Sequence, residues 1–215
     1  MEGEKNIKEF LAKIFLYVIY AVGIIGHLVD ELHPIMLSIT PYTLFITGVA
    51  AFYFGFEEGG KKFLLWSGIT YAFTFLLESV GVHYGLIFGS YEYGNILGLK
   101  LFGVPLIIGF NWVLIITGAI TIAERIDQNI YLTALLAGTL AVLFDVFLEP
   151  VAVEFGYWTW NEGKIPLQNY YAWFIIAFLA SLLYDKMKIE INTTLLEHYF
   201  FIQLLFFVLL STFMS

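Results

Sequence analysis

The strongest constraint in this sequence is a succession of apolar stretches, at about 10 to 30, 36 to 56, 63 to 83, 102 to 123, 131 to 150, 170 to 185 and 195 to 214, joined by short polar connections. Each comes close to the roughly 20 residues that an α-helix needs to cross the hydrocarbon core of a bilayer. With 60% hydrophobic and only 13% charged residues and a mean hydropathy of +0.84, the chain has too little polar surface for a soluble domain. It reads as an all-α integral membrane protein, a bundle of about seven transmembrane helices forming one polytopic domain over residues 1–215.

The cations give the bundle a direction. With seven spans, Lys5, Lys8, Lys13, Lys61, Lys62, Arg125, Lys186 and Lys188 fall on one side and only Lys100 and Lys164 on the other. By the positive-inside rule the N-terminus is cytoplasmic, the C-terminus outside, and the home of the chain is the plasma membrane. The first apolar stretch is long and lacks the small-residue cleavage site of a signal peptide, so it reads as the first spanning helix. There is no cysteine, hence no disulfide and no thiolate metal site. Net charge is −8 and no basic stripe is present, which excludes nucleic acid as a partner and leaves the lipid bilayer.

Polar residues inside the spans are costly in hydrocarbon and mark function. The fifth span carries Asp145 and Glu149, four residues apart and so on one helix face, before an expected helix end at Pro150. The outward-running first and third spans add His27 and then Glu78 and His83 near their outer ends, and the inward-running fourth and sixth add Asn111 and Asn169. All of these fall in the outer half of the bilayer. Glu31, His33 and Glu154 sit farther out, where water reaches them.

The outer connections look like variants of one unit. Phe88-Gly-Ser-Tyr-Glu-Tyr93, Val104-Pro-Leu and Asn111-Trp112 are matched by Phe155-Gly-Tyr-Trp-Thr-Trp160, Ile165-Pro-Leu, Asn169 and Trp173, an internal parallel repeat over about 63–123 and 131–185. The alternating aromatics read as short extended segments at the interface, two lids over a common outer pocket.

Several membrane chemistries lack their residues. No lysine lies at mid-depth in spans two to seven for a retinal Schiff base, and there is no His-Glu-x-x-His, no serine nucleophile elbow and no phosphate-binding glycine loop. Carboxylates, histidines, amides and aromatics remain, an inventory for acid and base work on an apolar molecule, since a carboxyl group held neutral by hydrocarbon can donate a proton. Two other classes fit the same residues. One is a metal-dependent enzyme acting on lipid, with His27, Asp30, Glu31, Glu78, His83, Asp145 and Glu149 as nitrogen and oxygen ligands. The other is a lipid-binding protein or a proton-coupled transporter, although the apolar inner halves of the helices offer no proton path.

The run Phe144-Asp-Val-Phe-Leu-Glu-Pro150, with Gly156-Tyr-Trp-Thr-Trp160, Ile165-Pro-Leu-Gln-Asn-Tyr170 and Trp173-Phe174, resembles the membrane carotenoid hydratases of bacterioruberin and related acyclic carotenoid pathways. Glu78 to Asn111, with Phe88-Gly-x-Tyr-x-Tyr93 and Gly103-Val-Pro105, is similar to the other half of that family, so the resemblance covers about residues 70 to 185. It implies addition of water to a terminal isoprenoid double bond of a long carotenoid, giving a tertiary alcohol, without a redox cofactor; on that reading no cofactor and no metal ligands are expected, and carotenoid binding without catalysis is the alternative. That chemistry needs an acid, a base that holds water, and surroundings that tolerate a tertiary cation. Asp145 and Glu149 are the acid and base candidates, with Glu78 as the third catalytic carboxyl, orienting water. His27, His83, Asn111, Asn169, Tyr91, Tyr93, Trp158 and Trp160 are the expected substrate-binding side chains, the rings of Tyr91, Trp158 and Trp160 sharing the positive charge.

Overall fold

Helix formation follows the apolar stretches. In a computed structural model, which describes residues 2–214, the chain is mostly helical: α1 (Glu2–Leu28), α2 (His33–Tyr84), α3 (Leu106–Ile126), α4 (Ile130–Glu154), α5 (Leu167–Lys186) and α6 (Leu195–Phe213). Met1 and Ser215, the ends of the expected domain, lie outside the described residues. Among the described residues six helices are long and apolar enough to cross a membrane. Their outward surfaces carry exposed Ile, Leu, Val and Phe, as lipid-facing helices must, and this is an integral membrane protein.

The expected second and third spans are merged into α2, whose 52 residues would extend about 78 Å if straight, more than twice the hydrocarbon thickness. It is not straight. Gly60 breaks the helix at φ 55°, ψ −142°, a conformation that only glycine adopts without strain. The rings of Phe52 and Phe63, eleven residues apart, come within 5.1 Å across the corner. Phe110 of α3 meets Phe45 and Phe52 from the first half, while Tyr71 from the second half donates a hydrogen bond to the Leu106 carbonyl at 3.1 Å. Both halves therefore pack beside the start of α3.

At the centre stands α3, in which every residue from Trp112 to Thr121 is buried. Gly118 lets it approach α6 closely, since a Cβ there would lie 2.7 Å from the Leu196 carbonyl oxygen. The two helices are also joined by polar side chains. Tyr199 and Gln203 of α6 donate to the Asn111 side-chain oxygen at 2.8 and 3.0 Å, so Asn111 is committed to helix pairing. α4 packs between α3, α5 and α6.

Two expectations are corrected. α4 does not end at Pro150 but runs on to Glu154; proline removes one helical hydrogen bond, and the following turn is held by Phe155 N–H to the Val151 carbonyl (2.9 Å) and Tyr157 N–H to the Ala152 carbonyl (2.8 Å). The fold is also not purely helical. The connection after α2 forms β1 (Tyr91–Tyr93), β2 (Lys100–Leu101) and β3 (Val104–Pro105), and the one after α4 forms β4 (Trp158–Trp160). β2 pairs with β3, and β1 pairs antiparallel with β4 in the register Tyr91 to Trp160, Glu92 to Thr159 and Tyr93 to Trp158. Alternating aromatics put one face of each strand inward, and pairing satisfies the backbone of a segment that leaves the helical ladder.

The Gly60 corner gives a direct stability test. A Cβ on Gly60 meets nothing within 4 Å, so Gly60→Ala introduces backbone strain alone and should cost on the order of 1–3 kcal/mol, read as a lowered thermal midpoint in detergent. Gly68→Ala, at a helical position equally free of neighbours, should leave the midpoint unchanged or raise it slightly.

Candidate active site

The β1–β4 pair lies over three buried carboxyl groups. Glu78 comes from the second half of α2, and Asp145 and Glu149 from successive turns of α4; their exposures are 4%, 1% and 2%. Each is met by donors. The Tyr91 and Tyr93 hydroxyls both donate to Glu78 Oε2, the latter at 2.8 Å. The indole N–H groups of Trp158 and Trp160 donate to Glu149 Oε2 at 3.0 and 2.8 Å. Asn169, near the start of α5, donates through Nδ2 to Asp145 Oδ2 at 2.6 Å and to Glu149 Oε1 at 3.0 Å.

Strand geometry explains how four rings reach two carboxyl groups. Side chains two residues apart share a strand face, and the register sets Tyr91 against Trp160 and Tyr93 against Trp158, with ring centroids 4.9 and 5.7 Å apart. Glu92 and Thr159, the residues between them, face outward and are exposed. Close strand approach depends on Gly94, whose N–H donates to the Tyr157 carbonyl at 2.8 Å and where a Cβ would fall 2.0 Å from the Gly156 oxygen. Burial first, and the adjacent Glu78 second, hold the Tyr91 and Tyr93 phenols well above their ordinary range, so both remain hydrogen-bond donors.

Below the carboxyl groups Trp112 of α3 and Trp173 of α5 stack with centroids 3.5 Å apart. Each follows its helix-opening proline, Pro105 or Pro166, by seven residues, which places both at the same depth. Between the stack, the lid rings and the carboxyl groups is a cavity of about 20 Å³, also lined by Ile108 and Leu148. A space of this size holds one water molecule.

Of the residues singled out from sequence, Glu78, Asp145, Glu149, Tyr91, Tyr93, Trp158, Trp160 and Asn169 line this one cavity. His27, His83 and Asn111 do not. His83 is bound to the Ser79 carbonyl at 2.8 Å, and His27 sits against Phe155 on the far side of the lid, with ring centroids 4.9 Å apart. The histidines therefore do not converge with the carboxyl groups, and among the described residues no three His, Cys, Asp or Glu side chains stand close enough together to hold a metal ion. Trp112 and Trp173 stood in the sequence as the tryptophans of the two repeat units; their equal spacing from Pro105 and Pro166 is the signal that pairs them.

Known proteins similar to this chain give its family. A bisanhydrobacterioruberin hydratase of Haloarcula japonica is 31% identical to the chain over 124 residues, 53% of this chain and 41% of the relative. The chain thus spans about two fifths of the length of the curated relative it matches. No solved structure matches it. A family model described as carotenoid biosynthesis protein matches residues 11–215, nearly the whole chain, and the protein belongs to that family.

Proposed function

We propose that this protein adds water to a terminal isoprenoid double bond of a long acyclic carotenoid, giving a tertiary alcohol. The observation that carries the reading is a one-water cavity bounded by three carboxyl groups and six aromatic rings, in a chain of the carotenoid biosynthesis family with a hydratase relative. Water adds across the alkene in two steps. A carboxylic acid protonates the less substituted carbon, and water adds to the resulting tertiary cation while a carboxylate takes its proton, so the two carboxyl groups exchange states and no redox partner is consumed.

Hydrogen bonding divides the roles. Glu149 has donors on both oxygens, three in all, the setting of a carboxylate that stays an anion. Asp145 and Glu78 each receive donors on one oxygen only, leaving Asp145 Oδ1 and Glu78 Oε1 to hold a proton or a water. We assign acid and base to this pair and the counter-charge to Glu149. The pair is also equivalent within the apparent duplication: positions 78 and 145, 88 and 155, 91 and 158, and 93 and 160 all stand 67 apart.

The finer topology belongs to the same proposal: seven passes, the two halves of α2 counted separately, with the N-terminus cytoplasmic and the carboxyl site in the outer half of the plasma membrane. The Gly60 corner and the cations that flank the helix ends support it. The cavity has no room for a polyene, so the lid strands part to admit the chain end.

Asp145→Asn and Glu78→Gln should each lower turnover by at least about a hundredfold while leaving the fold intact, since an amide is neither acid nor base. In the wild type, deuterated water should leave one carbon-bound deuterium beside the new alcohol and heavy-oxygen water should label its hydroxyl; oxygen drawn from dioxygen would overturn the hydration. The absence of native cysteine makes two further measurements clean. A cysteine at Glu162 should react with an impermeant maleimide on intact cells and one at Gln128 only after permeabilisation, and the reverse pattern would invert the bundle. Glu92→Cys combined with Thr159→Cys joins directly opposed lid residues, which in an antiparallel pair lie about 4.5–5.5 Å apart between Cα atoms, within disulfide reach. Oxidation of that variant should stop turnover and reductant should restore it; unchanged activity when crosslinked would show that the substrate enters without the lid moving.

A further inference from the structure

A second cavity, of about 110 Å³, lies between α1, the first half of α2 and α6, on the other side of the lid from the carboxyl groups. Adjacent lid residues separate the two: Tyr157 lines this groove and Trp158 the carboxyl cavity. Its walls are apolar, among them Ile19, Met36, Leu44 and Phe206, and it is bordered by Val22 and Ile39, which are 55% and 41% exposed on the lipid-facing surface. An occupant therefore enters from the membrane.

The groove contains one buried polar atom without a partner among the described residues. His27 Nδ1 lies 2.7 Å from the Gly23 carbonyl oxygen, and because a carbonyl only accepts, Nδ1 carries the hydrogen. In the neutral ring Nε2 is then a bare acceptor. It is buried and has no hydrogen-bond partner, the only such side-chain atom lining the groove among the described residues. Of the other polar side chains, Thr40 donates to the Met36 carbonyl at 2.9 Å, Gln203 pairs with Asn111, and Tyr20 and Tyr157 reach threonine hydroxyls, while half-buried Thr43 adds a hydroxyl to the same wall. Stacking on Phe155 and edge contact with Phe206 fix the ring.

We infer that this groove is a binding site for the hydroxyl-bearing end of an isoprenoid chain, held by donation of the hydroxyl to His27 Nε2. An acceptor without a hydrogen selects a donor, which excludes ethers, ketones and plain alkenes from the polar contact. A volume of about 110 Å³, against about 20 Å³ for the cavity that holds one water, suits a short branched end such as a dimethylcarbinol and not a whole chain. The remainder of the chain then lies along the exposed apolar surface. The inference rests on family membership and on the groove, and it stands or falls independently of the hydration reaction.

The test uses the full chain in detergent, with the isoprenoid tertiary alcohol tetrahydromyrcenol and its methyl ether as probes. Calorimetric titration should show the alcohol binding up to about tenfold more tightly than the ether, the effect of one buried neutral hydrogen bond. His27→Phe should bind both probes equally. In wild-type protein labelled with nitrogen-15 histidine, the alcohol should shift the Nε2 resonance that is missing from His27→Phe, while the ether leaves it in place. Equal affinity of the wild type for the two probes, a preference that survives in His27→Phe, or an Nε2 resonance that already reports a hydrogen bond before ligand and does not respond to the alcohol would each overturn the site. The last result would mean that the atom serves only water.

Discussion

Hydrocarbon offers a buried carboxyl group nothing to bond with, and the end of the bundle that carries β1 and β4 is organised around meeting that need from within the chain. Glu78, Asp145 and Glu149 are nearly inaccessible, and the donors they require come from the connections rather than from the helices alone. A buried group that loses its partner costs about 1–3 kcal/mol, more when charged, so the lid and the helices form each other's environment. Tyrosine and tryptophan suit this task because each presents one polar atom at the rim of a large apolar ring. A lid of smaller donors would satisfy the same atoms but leave the cavity wet and open.

A second polar cluster follows the same rule for another purpose. Asn111, Tyr199 and Gln203 satisfy one another between α3 and α6, with Gln203 wholly buried. Together with Gly118 this fixes the central helix against the last one, and hence the depth at which Trp112 meets Trp173. Asparagine at the two positions therefore has opposite meanings: Asn111 joins helices, whereas Asn169 joins two carboxyl groups.

Much of this was legible because depth in a membrane is counted along a helix. The apolar stretches place Glu78, Asp145, Glu149 and Asn169 near one level, and the spacing of Asp145 and Glu149 puts them on one face. What counting along a helix does not supply is the direction in which each residue faces around its axis, which packing decides. Thus His27 and His83 share the level of the carboxyl groups but face Phe155 and the Ser79 carbonyl, away from the cavity. Pairing of β1 with β4 was hidden for a related reason: three-residue segments carry too little pattern to specify a register, and each strand is held by a different carboxyl group beneath it, β1 by Glu78 and β4 by Glu149. Pro150 misled because its local rule for ending a helix is weaker than the packing of the turn that follows.

In the proposed reaction, the three carboxyl groups also outweigh the rings. A cation over an aromatic face gains about 0.5–2 kcal/mol, so even two or three favourable rings supply only a few kcal/mol. A single carboxylate about 4 Å from a unit positive charge contributes about 4 kcal/mol at an effective dielectric of about 20, which is close to three powers of ten in rate. Glu149, clasped by three fixed donors, keeps that charge in place through the reaction without having to reorganise. The rings then serve chiefly to exclude bulk water, which would screen Glu149 and let solvent compete with the single water that the cavity holds.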